Sequence, residues 1–146
     1  PWLTAADAPY LVDRFDEAVF LAMAPHIQPR CITLADAPGL VDFLFQPEVA
    51  VDADAWAKAT GTPEAVAVFR GAVATYEALG DWTSEGLKAS LEAVGEANGL
   101  KLGKAQAPVR VAVTGRTVGP PLFESLECLG RTETLRRLRL AGAQLP

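Results

Sequence analysis

The chain has 146 residues, half of them apolar, and a formal net charge of −5. That is enough for one ordinary domain or two small helical units packed together, and the apolar content argues against disorder. No run of about 18 uncharged apolar residues exists, so no membrane-spanning helix is expected.

Pro1-Trp2-Leu3 carries no initiator Met, no basic region and no apolar core. It reads as the start of an excised piece, not as a signal peptide. Asp7 is a candidate cap for a first helix, with Pro9 in its first turn and Leu11, Phe15 and Val19 or Ala22 on one face. Pro25 and Pro29 should end that helix, leaving His26 and Arg30 in a short irregular stretch. Thr33-x-x-Asp36 has the form of a capping box, and Pro38-Gly39 demands a kink or a restart before Leu40–Phe45. Residues 46–54 are the best linker in the chain. They divide it into a first helical unit, 1–50, and a second, 51–146.

A short helix is expected around Trp56 and Gly61. Thr62-Pro63-Glu64 then opens a longer one with Val66, Phe69, Val73, Tyr76 and Leu79 inward and Gly80 as its stop. Thr83 begins the next, with Leu87, Leu91 and Val94 inward and Gly99 at its end. Val109–Val113 alternates like a strand. No partner strand is available, and a lone strand is unstable, so a helix is expected there as well. Leu122, Leu126 and Leu129 form another inward face closed by Gly130, and Thr132 should cap a last helix with Leu135 and Leu138 inward. The fold class is therefore all-α, two small packed helical bundles.

Charge divides unevenly. Residues 1–100 hold five basic groups against fifteen acidic ones, and residues 101–146 hold eight against three. A cationic face on an acidic body is one reading, and a merely solvated helix surface is the other. Catalytic parts are scarce. His26 is the only histidine, and His26, Cys31 and Cys128 cannot supply the four ligands of a structural zinc site. Gly99-x-x-x-Gly103-Lys104 lacks the spacing of a phosphate loop. Two distant cysteines read as reduced thiols and point to the cytoplasm. The residues describe a binding module without metal, cofactor or catalytic group of its own.

The most informative stretch runs from Gly99 to Gly130. It reads Gly99-Leu100-Lys101-Leu102-Gly103-Lys104, then Ala107-Pro108-Val109-Arg110-Val111-Ala112-Val113-Thr114-Gly115. After these come Val118-Gly119-Pro120-Pro121-Leu122-Phe123-Glu124 and Cys128-Leu129-Gly130. In order, spacing and residue type this resembles the C-terminal region of bacterial glutamyl-tRNA synthetases. Residues 26–45 resemble the same family more weakly.

The resemblance implies a pair of helical units that grip the anticodon loop of tRNA(Glu), within a chain whose other half is the catalytic part and uses ATP and Mg. It implies no DNA and no membrane partner, and no activity for this piece alone. By resemblance, Arg110 faces the unstacked anticodon bases, where a planar guanidinium suits stacking and base-edge bonding. Pairing with Glu124 or Glu127 is the bland alternative. Gly119 and Pro120 would present backbone to a base. Leu122 would offer it an apolar surface or simply pack in the core. Gly119 stands where the family frequently has threonine, so a side-chain contact is missing there. Arg30 aligns with an arginine that reads the third anticodon base, or is a surface arginine near Asp36. Lys104, Arg116, Arg136 and Arg139 are candidates for the tRNA backbone, against ordinary solvation. A helical protein-docking module is the competing function.

Overall fold

The computed structural model describes residues 7–146, so Pro1-Trp2-Leu3 lies outside the described residues. These contain eight α-helices and no strand. The helices are α1 (Glu17–Ile27), α2 (Ala37–Phe45), α3 (Ala53–Ala59), α4 (Pro63–Ala78), α5 (Ser84–Ala97), α6 (Leu102–Thr114), α7 (Leu122–Leu129) and α8 (Arg131–Gly142), and short 3-10 turns lie at Val12–Arg14, Gln28–Arg30 and Leu34–Asp36. The all-α expectation holds, including the helix across Val109–Val113. No helix among the described residues is long and apolar enough to cross a membrane.

Several helix starts follow their caps. Thr62 Oγ1 accepts from the Ala65 amide at 3.2 Å and Thr83 Oγ1 from the Gly86 amide at 3.1 Å. Asp36 closes the predicted box from the other side, accepting the Thr33 amide at 2.7 Å and the Ile32 amide at 2.9 Å. Those two bonds hold its carboxyl below the usual range.

Three boundaries differ from expectation. The first helix is capped by Asp16, whose carboxylate takes the Ala18 and Val19 amides, not by Asp7; Pro9 and Tyr10 stay outside it. Pro25 sits inside α1, where it removes a single bond near the helix end and the helix continues to Ile27. Thr132 does not cap α8: the helix starts at Arg131 directly behind Gly130, whose φ of +88° turns the chain between α7 and α8. The inward face of α4 is also rotated, with Ala65, Val68, Phe69, Ala72 and Tyr76 buried and Val66 and Val73 at its margin.

Two apolar clusters form. The larger joins Trp56, Phe69, Tyr76, Leu87, Leu91, Val109, Leu122, Leu126 and Leu138 from α3 to α8. The smaller joins Tyr10, Met23, Ile27, Val41 and Phe45 around α1 and α2, with Cys128 of α7 packed against it.

The joint between them is tied. Arg137, only 4% exposed, donates Nε to Glu133 Oε1 (2.9 Å), Nη1 to the Val113 carbonyl (2.8 Å) and Nη2 to the Gln46 carbonyl (3.0 Å). Arg136 reaches the Pro47 carbonyl at 2.7 Å. The Asp52 amide donates to the Gly115 carbonyl at 3.1 Å. Gly115 has φ +79°, and a Cβ there would stand 2.3 Å from the Ala50 carbonyl oxygen, so glycine is required twice over.

Truncating a buried, fully bonded guanidinium leaves the Val113 and Gln46 carbonyls without their donor and removes one of the two arginines bonded to Glu133. Arg137→Ala should therefore lower stability in urea denaturation by about 3–5 kcal/mol. Lys88→Ala, on the exposed face of α5, should stay within about 0.5 kcal/mol.

Candidate nucleic-acid interface

Arg110 leaves the middle of α6 half-buried. Its Nη1 donates to the Pro120 carbonyl at 2.7 Å, which fastens the segment between α6 and α7 to the side of α6. A Cβ on Gly119 would lie 3.5 Å from the same nitrogen, in ordinary contact with it. Thr114 Oγ1 bonds the Arg110 carbonyl at 2.8 Å and the Arg116 carbonyl at 3.1 Å, closing the helix before this segment begins.

Arg30 closes the 3-10 turn after α1. It is exposed, and its Nη1 donates to the His26 carbonyl at 3.0 Å. Burial lowers the pKa of Arg110, and the charge of Arg30 lowers it further, so the two guanidinium groups share one electrostatic environment. Among the described residues no carboxylate lies within 4 Å of either, and neither pairing with Glu124, Glu127 nor pairing with Asp36 forms. Arg110 thus feels the like charge of a residue 80 positions away in sequence, with burial the larger effect. Such a pair favours an anionic or electron-rich partner, and its planar groups can stack on bases.

Other candidates are placed differently. Pro120 is buried, and the carbonyl of this residue is already taken by Arg110. Leu122 is 2% exposed in the larger cluster, so it offers no surface to a base: the helix-core alternative holds. Lys104 is exposed on α6. Arg116 is engaged by Asp42 (2.6 Å) and the Gly39 carbonyl (3.2 Å). Arg136 is engaged by Glu133 (2.7 Å) and Arg139 by Glu77 (2.8 Å).

The expected cationic face is accordingly much reduced. Arg116, Arg136, Arg137 and Arg139, half of the eight basic residues beyond position 100, are spent on intramolecular ion pairs. Arg131 lies over the Trp82 ring, 5.5 Å from its centroid. Arg137, which was not among the candidates, is buried on α8 with Leu135 and Leu138.

Glu133 is bonded by Arg136, which pulls its pKa down most; burial opposes this and Arg137 adds to it, taking it from 4.5 to about 2. A carboxyl depressed in the folded state stabilises the fold above its unfolded pKa, and that contribution disappears as pH falls toward the folded value. Unfolding free energy should therefore decline between pH 4.5 and about 2, and Glu133→Gln should flatten that decline relative to the parent chain in denaturant titrations across this range.

Comparison with known proteins places these features in context. A family model described as "Anticodon binding domain" matches residues 1–142. A glutamate–tRNA ligase of Frankia casuarinae is 53% identical over 145 residues, and one of Salinispora arenicola 51% identical over 150. These alignments cover 99% and 100% of this chain but 30% and 32% of the relatives, so the chain spans about a third of their length. The crystal structure of a glutamate tRNA ligase from Elizabethkingia meningosepticum, in complex with its amino acid, superposes with a TM-score of 0.78 at 25% identity. It covers 90% of this chain and 26% of that one.

Proposed function

Because the chain belongs to the anticodon-binding domain family, we propose that it recognises the anticodon loop of glutamate tRNA as the C-terminal part of an ATP-dependent glutamate–tRNA ligase. The observation that supports this reading is Arg110: it is half-buried, its pKa is lowered by burial and then by the charge of Arg30, and among the described residues neither arginine has a carboxylate within 4 Å. In this reading the units 1–50 and 51–146 each contribute one arginine to a single cleft. The catalytic half of the same enzyme binds ATP and Mg, and this region adds neither. The enzyme works in the cytoplasm on RNA, with no DNA or membrane partner.

The two arginines have different tasks. Arg110, anchored through Nη1 on the Pro120 carbonyl beside Gly119, stacks on or bonds an unpaired base. Arg30, on a turn and held only by the His26 carbonyl, reads the third anticodon base. That base is cytosine in glutamate tRNA and guanine in glutamine tRNA, and their edges present different donors and acceptors. A fixed cationic donor favours one of them. Gly119 and Pro120 contribute backbone, and Lys104 contacts a phosphate.

In the full-length enzyme, Arg110→Ala should cost about 1–3 kcal/mol in glutamate tRNA charging, the range for one stacked base. Arg30→Gln should chiefly narrow the gap between glutamate and glutamine tRNA in kcat/KM. Equal charging of both tRNAs by the parent enzyme would remove the discriminating role of Arg30. Failure to retain tRNA at low salt would favour a protein-docking module instead.

Salt dependence separates the remaining cations. Lys104→Ala should reduce the log–log salt slope of tRNA binding by about 0.7–0.9, whereas Arg139→Ala should leave it unchanged because Glu77 already neutralises that group.

A further inference from the structure

Arg116 opens the segment that runs from α6 to Gly119 and Pro120. Its guanidinium crosses the joint to α2, with Nη2 on Asp42 Oδ1 at 2.6 Å and Nη1 on the Gly39 carbonyl at 3.2 Å. Asp42 is the more covered partner, with 16% of its side chain exposed against 44% for Arg116, and its Oδ1 also takes the Phe43 amide at 2.8 Å. The carboxylate is therefore fixed on α2, and the arginine that reaches it is fixed at both ends of its guanidinium. The α2 helix packs in the same apolar cluster as the end of α1, from which Arg30 projects. On the other side, Gly119 and Pro120 form the wall against which Arg110 is held. The pair thus connects the backbone that carries one recognition arginine to the backbone that holds the other.

Stability does not account for this contact, since water screens a partly exposed pair and leaves little net gain. Geometry does. A guanidinium bound to a carboxylate and a carbonyl together restricts the segment 116–119 in direction as well as distance. We infer that the Asp42–Arg116 pair is a specificity-determining latch. It sets the spacing between Arg30 and the Arg110–Pro120 wall, and so determines how strictly the third anticodon base is read. This inference rests on the anticodon-recognition reading. Both residues are positioning residues and touch no RNA: Arg116 is committed to Asp42, and a phosphate contact would have to strip it from that carboxylate.

The test uses full-length enzyme and two substrates, glutamate tRNA and the same tRNA with guanine at the third anticodon position. Asp42→Asn and Arg116→Gln should each lower the ratio of the two kcat/KM values by about 3- to 10-fold. The KM for ATP should not change. Amide hydrogen exchange at residues 117–119 should accelerate in both variants. The charge-reversed double variant, Asp42→Arg with Arg116→Asp, should recover most of the ratio and slow exchange again, which neither half of the reversal does alone. If Arg116→Gln weakens both tRNAs equally while Asp42→Asn leaves the ratio intact, Arg116 is a phosphate contact and the latch is refuted. If Arg30→Gln collapses the ratio but the latch variants do not alter it, the latch alone fails. If Arg30→Gln itself leaves the ratio unchanged, the reading of Arg30 fails and takes the latch with it.

Discussion

A single guanidinium holds the middle of this molecule. Arg137 lies where the last turn of α6, the end of α2 and the body of α8 meet, and it donates to one acceptor from each. Burial works against its charge, and the Arg136 and Arg14 cations add to that cost, while Glu133 offsets part of it. The two helix ends present carbonyls with no partner inside their own helices. An apolar residue of equal volume would leave them bare. Buried arginines are tolerated where they satisfy several acceptors at once, because the planar fork reaches them with little rotamer freedom to lose. Arg137 thus ties the end of α2, in the smaller apolar cluster, to α6 and α8 in the larger one.

The distribution of charge takes on a different meaning in this light. An acidic first part and a basic last part suggest a surface awaiting a polyanion. Instead, Arg116 and Arg139 find Asp42 and Glu77 within the same chain, and the opposite signs hold the chain to itself. Among the described residues Arg30 and Arg110 take part in no ion pair, and neither do Arg14 and Arg131.

The helices were largely legible in the sequence because their information is local. Thr62 and Thr83 act within three residues of themselves, and so does Asp36. The first helix misled because its cap is Asp16, with Tyr10 and Phe15 ahead of it packed on Phe45, some thirty residues away. Thr132 misled because Gly130 lets α8 begin with no side-chain cap at all. Arg110 was singled out by the family-like motif around it, and Arg30 by the weaker resemblance over residues 26–45. The fates of Arg116 and Arg139 were not legible, since their partners lie 74 and 62 positions away. Nothing in the spacing of a helix says which distant carboxylate will arrive beside it.

Gly115 has a bearing on how this chain tolerates change in length. Its backbone meets Ala50 so closely that no side-chain carbon fits between them, and the Asp52 amide seals the contact. The stretch 46–52 looks like a tether when read as sequence, yet it is a fitted strap with its ends and centre fastened. Added residues there would have to bulge outward and would pull Gln46 and Pro47 from the arginines that hold them. The exposed bend at Thr117 and Val118 meets no such obstacle. Insertions, tags and grafted loops are thus better accommodated at this bend than in the strap, so variation in length falls where it leaves the joint between the two apolar clusters intact.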